Sequence, residues 1–140
     1  MTENAMTEND EKKEFLWGYR KAIRKQKQIE DEIRRLRLDR ISPSLVQDGM
    51  PHGSGGGDLS GYAVQLDSLL EELRKQGEEC IRKRKEIVVK IEEIGNETEI
   101  LLLRYRYING MKWEDIAERM DICWRYVMRL HGKALAHLKI

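Results

Sequence analysis

Apolar residues recur at helical spacing along most of the chain. Leu16, Tyr19, Ile23, Ile29, Ile33 and Leu36 fall mostly three or four positions apart, with no Pro or Gly after Gly18. That spacing lines one side of a helix and predicts a long helix over residues 11–41. Gln26 interrupts the seam and no strict seven-residue repeat holds, which suits packing against one neighbour better than a supercoiled rod. Ser42-Pro43 must end the helix, because proline breaks the hydrogen-bond ladder and biases the preceding residue away from helical geometry. Residues 42–61 then hold six glycines and two prolines, and a flexible linker is expected over 42–60. The run lacks the Gly-Lys-Ser/Thr ending of a phosphate-binding loop.

A second long helix is predicted over 61–95, with Leu59 as the earliest start. Leu66, Leu73, Cys80, Ile87 and Ile94 sit seven apart, the repeat of left-handed helix pairing. The first helix, folded back through the linker, is the nearest partner, since each helix is roughly 45–50 Å long at 1.5 Å per residue. Two helices alone bury little surface, so a homo-oligomer is expected, with a dimer the first expectation. Gly95 suits a helix C-cap, and Asn96 with Glu99 has the form of a capping box.

Residues 96–140 read as three further helices: Glu97–Ile108, Lys112–Met120 and Trp124–Leu138. Ile100, Leu101, Leu103 and Tyr107 are expected to form the apolar face of the first. Asn109-Gly110 and Asp121-Ile122-Cys123 are the breaks between them. Two short helices joined by a tight turn have the layout of a helix-turn-helix. Ala117 permits close crossing and Ile122 plugs the turn, while Leu103, Trp113, Ile116, Val127 and Leu130 complete the expected core. Trp124, Arg125, Met128 and Arg129 then remain as candidates to read base edges, since arginine forks onto guanine and Met or Trp meets a thymine methyl. Arg104, Lys112, His131 and Lys133 are candidates for phosphate contacts.

Composition sharpens this reading. The 140 residues are 40% hydrophobic and 36% charged, with a net charge of only +1. The balance is uneven, however: residues 11–40 carry eleven bases against six acids, and residues 122–140 carry two Arg and two Lys with no acid. A local cationic surface binds a polyanion whatever the total charge. Residues 1–10, polar and acidic, are expected to be disordered. No run approaches the ~18 apolar residues of a membrane span, and the start has no signal-peptide layout, so a cytoplasmic protein without a membrane partner is expected. Cys80 and Cys123 are too few and too far apart for a disulfide framework or zinc site, and both are expected to be buried or half-buried small residues. No metal, cofactor or catalytic residue is expected, because adjacent carboxylates such as Glu71-Glu72 diverge on a helix and no nucleophile–base pair can be assembled. The chain reads as a non-enzyme.

The segment LLLRYRYINGMKWEDIAERMDICWRYVMRLHGKALAHL resembles the region 4 helix-turn-helix of bacterial sigma factors. In more detail the chain resembles a phage and prophage family that joins a coiled-coil N-terminal part, a glycine-rich middle and a sigma-like C-terminal domain. Leu102-Leu103-Arg104-Tyr105 matches the family's first helix and Trp113-Glu114-Asp115-Ile116-Ala117 its second. Arg125 to His131, with Lys133-Ala134-Leu135, matches the recognition helix, and MPHGSGGGD resembles the middle segment. Departures are Asp121-Ile122-Cys123, where the turn usually carries Gly, an apolar residue and a Ser or Thr cap; Lys112 at a second cap; and Trp124, where a polar reader is commoner. The resemblance implies an all-α fold, a long antiparallel coiled-coil-like hairpin followed by a three-helix sigma region 4-like domain. It implies sequence-specific binding of double-stranded DNA, regulation of phage or prophage transcription, and host RNA polymerase as a candidate partner. Two alternatives stand beside it: an adaptor that binds proteins through the hairpin, and a small terminase-like subunit for DNA packaging.

Overall fold

The structure is a computed structural model that describes residues 6–41 and 55–140. It is all-helical among the described residues: α1 (Glu8–Ile41), α2 (Gly55–Glu92), α3 (Glu97–Leu103), a π-helical turn (Arg104–Ile108), α4 (Trp113–Met120) and α5 (Trp124–His137). The long helices α1 and α2 pack as a hairpin, and the smaller helices follow. The chain divides into two compact units, residues up to Ala22 with Cys80–Ile140, and Ile23–Glu79.

Helix ends depart from expectation in informative ways. α1 begins at Glu8, inside the segment expected to be disordered, because Thr7 and Asp10 cap each other: the Asp10 N–H donates to Thr7 Oγ1 at 3.0 Å and the Thr7 N–H to Asp10 Oδ2 at 3.4 Å. Three acids in the first turn favour the positive end of the helix dipole. α2 begins at Gly55, within the expected linker. Each helical glycine costs about 1 kcal/mol relative to alanine, yet adding a residue to an existing helix is far easier than nucleating one. The remainder of the expected linker, residues 42–54, and residues 1–5 lie outside the described residues. At the other end Gly95 takes φ +85°, the left-handed conformation of a helix stop, and the Asn96 side chain accepts from the Glu99 N–H at 3.0 Å.

The helix expected over Glu97–Ile108 changes character half-way. The Asn109 N–H donates to the Arg104 carbonyl, five residues back, at 2.9 Å. This wider turn lets Leu102, Leu103, Tyr107 and Ile108 all enter the core. Leu101, expected on the apolar face, is exposed instead, and Leu102 is fully buried.

In the first unit, Leu16 of α1 and Ile87 and Ile91 of α2 belong to the same buried cluster as Leu102, Ile116, Val127 and Leu135. The core of the C-terminal module therefore extends beyond residues 96–140. Each fully buried Leu or Ile contributes about 1.5–3 kcal/mol, and polar clamps add direction. Lys12, itself buried, donates from Nζ to the Leu135 carbonyl at 2.7 Å, in the last turn of α5. Arg20 Nη1 donates to the Ile108 carbonyl at 3.2 Å. Both cations meet the negative ends of helices.

The second unit is thinner. Ile29 and Ile33 of α1 are buried, whereas the seam residues Ile23, Leu66 and Leu73 are only half-buried. Arg40 lies 5.4 Å from the Tyr62 ring, and Leu36 and Leu69 border one groove. The two pairings run in opposite chain directions, as an antiparallel hairpin requires. Tyr19 is half-buried in the first unit, where Cys80 is buried as a small core residue.

Candidate nucleic-acid interface

The site is carried by α4, a short turn and α5. α4 closes without glycine: the Ile122 N–H donates to the Ala117 carbonyl at 3.0 Å and the Asp121 N–H to that of Glu118 at 3.2 Å. This is the double closure of a Schellman motif. Asp121 consequently sits at φ 57°, ψ 47°, in the left-handed region. Aspartate tolerates that region better than most residues but less well than glycine. Neither Lys112 nor Cys123, the N-caps of α4 and α5, makes a side-chain cap hydrogen bond. Cys123 is exposed, against the expectation of burial, because the N-cap position lies outside the packed face of α5.

α5 has two distinct faces. Val127, Leu130, His131, Ala134 and Leu135 point inward. Trp124, Arg125, Tyr126, Arg129 and Lys133 are exposed, and Met128 is half-buried. Trp124, at 55% exposure, is the most open large aromatic side chain on this face, and the helix carries no acid. The Trp124–Met128 and Arg125–Arg129 pairs, each spaced by four residues, form neighbouring apolar and basic strips. Lys112 is exposed at the start of α4. Among the residues expected to form the core, Leu103, Ile116, Val127 and Leu130 are buried, while Trp113, Ala117 and Ile122 are half-buried.

Two candidate phosphate contacts are engaged elsewhere. His131 is a buried residue: its Nε2 pairs with the Tyr107 hydroxyl at 2.8 Å, and Trp113 meets the ring edge-on at 4.7 Å between centroids. Its position four residues after Val127 places it on the inner face, so no phosphate reaches it. Burial, with Lys13 and Arg106 as nearby positive charges, pushes its pKa down to about 4, while burial pushes the Tyr107 hydroxyl up to about 12. At neutral pH the imidazole is neutral, and His131 Nε2 and the Tyr107 hydroxyl share one hydrogen bond. Arg104 is held by Glu92 through a 2.8 Å ion pair, which leaves its charge compensated.

Several supporting residues carry no signal of their role in the sequence pattern. Arg106 lies between two indoles, 5.2 Å from Trp17 and 4.4 Å from Trp113, and donates from Nη1 to the Met111 carbonyl at 3.0 Å. Trp17 also meets Tyr107 edge-on at 4.8 Å. The result is an aromatic and guanidinium stack behind the start of α4. Glu99, buried in the first turn of α3, takes a 2.8 Å hydrogen bond with Nδ1 of His137 in the last turn of α5. Tyr126 adds an exposed aromatic hydroxyl to the outer face. These partners come from distant segments, and helical periodicity carries no signal for such pairings.

Among the described residues, no group of three or more His, Cys, Asp or Glu could hold a metal ion, and no helix is long and apolar enough to cross a membrane. The model of a protein family described as a protein of unknown function, DUF1492, matches residues 41–139. The chain belongs to DUF1492. No curated protein and no solved structure matches it. The DUF1492 match spans all of α2 and the α3–α5 module, and therefore includes every exposed residue of the α5 face.

Proposed function

We propose that this DUF1492 chain is a non-enzymatic, sequence-specific double-stranded DNA-binding protein that regulates transcription of a phage or prophage. Host RNA polymerase is its candidate partner, and the α3–α5 module acts as the sigma region 4-like domain that the sequence resembles. The observation that carries the reading is the acid-free outer face of α5, where Trp124, Arg125, Met128 and Arg129 lie side by side on a helix anchored by Val127 and Leu130. A helix of this kind enters the major groove with its N-terminal residues against base edges. The arginines suit the guanine O6 and N7 acceptors, and Trp124 and Met128 suit thymine methyls. Lys112 and Lys133 take the phosphates in this arrangement. His131 has no part in it, because it belongs to the core.

The lysines at the face set a scale for the electrostatics. The two arginines face base edges in this arrangement, so if Lys112 and Lys133 each neutralise one phosphate the logarithm of affinity falls with the logarithm of salt with a slope of about −1.8 per module. The experiment is selection of bound fragments from host and phage genomic DNA by the full-length protein at near-physiological salt, followed by titration of the enriched duplexes. A narrow set of duplexes, bound at least ~100-fold more weakly by the Arg125→Glu, Arg129→Glu double variant, is the expected result. Equal recovery of all fragments, or full affinity in that variant, would overturn the reading. Both arginines are exposed, so unchanged thermal unfolding separates lost binding from lost structure.

A further inference from the structure

The unit formed by Ile23–Glu79 is under-packed for its apolar content. Among the described large apolar side chains of this unit only Ile29 and Ile33 are buried, whereas Val64 is 66% exposed and Leu38, Leu59 and Leu70 are also exposed. Leu36, Val64 and Leu69 line a groove along the hairpin, and Glu32, Arg35 and Asp39 border it. A groove with an apolar floor and charged borders is what a packed helix covers.

Charge complementarity identifies the occupant. Residues 23–41 of α1 carry seven bases and four acids, a net +3, while residues 59–79 of α2 carry two bases and five acids, a net −3. Two copies related by a two-fold axis can bring the α1 segment of each against the α2 segment of the other. Segments of opposite net charge then adjoin twice, and the half-buried seam becomes the inside of a four-helix arrangement. Facing α1 with α1 would set +3 against +3. We propose that this hairpin is a dimerisation surface, that its occupant is the same hairpin of a second copy of this chain, and that α1 of each copy packs on α2 of the other through the groove at Leu36, Val64 and Leu69. The assignment uses no residue of the α5 face and stands independently of the DNA-binding reading.

The test is sedimentation equilibrium of the full chain at ~50 µM, a concentration that reports micromolar dimers. The expected mass is twice that of the 16.5 kDa chain. Val64→Lys places on the groove a charge of the same sign as the facing α1, at a site that is exposed in the single hairpin, and should weaken the dimer at least ~10-fold. Circular dichroism of that variant should keep the wild-type helix signal. Val89→Glu, at an exposed position of the other unit, should leave the dimer intact. Raising salt from about 50 to about 500 mM screens opposite-charge pairing and should loosen the dimer. A monomeric wild type, a dimer indifferent to Val64→Lys, or a dimer that is unchanged or tightened by salt would overturn the proposal.

Discussion

The buried His131 makes stability depend on pH in a direction that follows from its surroundings. The imidazole is held between the Tyr107 hydroxyl and the Trp113 ring, with Lys13 and Arg106 as the nearby charges. Its pKa in the folded chain is pushed down to about 4, from 6.5. The unfolded chain therefore binds the proton more readily, so the contribution of neutral His131 is fully present above pH 6.5. It is lost progressively as pH falls from 6.5 towards 4. At pH 5 the unfolded imidazole is almost wholly protonated and the folded one almost wholly neutral. Linkage then gives a loss of at most about 2 kcal/mol between pH 7 and pH 5, and roughly 1–2 kcal/mol after allowing for residual solvent screening. Urea unfolding at pH 7, 6 and 5 measures it, with His131→Gln as the reference. Glutamine can still hydrogen-bond Tyr107 but does not titrate, and every other titratable group is common to both proteins. The wild type should lose roughly 1–2 kcal/mol more than the variant over this range. Parallel pH profiles for the two would refute the argument.

Three substitutions test the supporting geometry. Asp121→Gly should stabilise the chain by about 0.5–1 kcal/mol, because glycine adopts the left-handed turn conformation without a Cβ penalty; a lower melting temperature would show that the aspartate side chain has a stabilising role. Gly110→Ala should destabilise by about 1–2 kcal/mol, since Gly110 has φ +73° and a Cβ there would lie 2.8 Å from the Arg20 guanidinium carbon; unfolding by urea at an unshifted midpoint would contradict it. Lys12→Met keeps the buried aliphatic stem but removes the donor to the Leu135 carbonyl, and should cost about 1–2 kcal/mol. Faster amide exchange in the last turn of α5 should accompany that loss, and unchanged protection would argue against the clamp.

The features legible in the sequence are those encoded locally. A seam at Leu16, Ile29 and Ile33, the Gly95-Asn96 stop and the Asp121 break each rest on neighbours within one or two helical turns, where spacing and capping chemistry apply directly. The inner face of α5 is legible only in part: Val127 and Leu130 have apolar side chains that betray their burial, but His131 occupies the same face with a polar ring. A histidine at helical core spacing can be buried or solvated, and what decides here is the Tyr107 hydroxyl waiting 24 residues earlier in the chain. The π turn is hidden for a related reason, since nothing in the local pattern of RYRYI distinguishes five-residue from four-residue hydrogen bonding.

Longer reach explains the remaining gaps. Lys12 meets a carbonyl 123 residues away and Arg20 one 88 residues away, and both read from sequence as ordinary solvated cations on an amphipathic helix. Arg106, between Trp17 and Trp113, joins three segments whose proximity only the fold creates. These three cations are withdrawn into the fold of the first unit, whereas Arg125, Arg129 and Lys133 stay exposed on the outer face of α5. The same residue types are thus sorted into supports and free charges by tertiary structure. The local net charge of a segment overstates its free cationic surface, and the DNA-binding proposal is correspondingly narrower than the sequence alone would make it. It rests on the exposed cations Lys112, Arg125, Arg129 and Lys133 with Trp124 and Met128 beside them, and assigns no DNA contact to His131 or to the compensated Arg104.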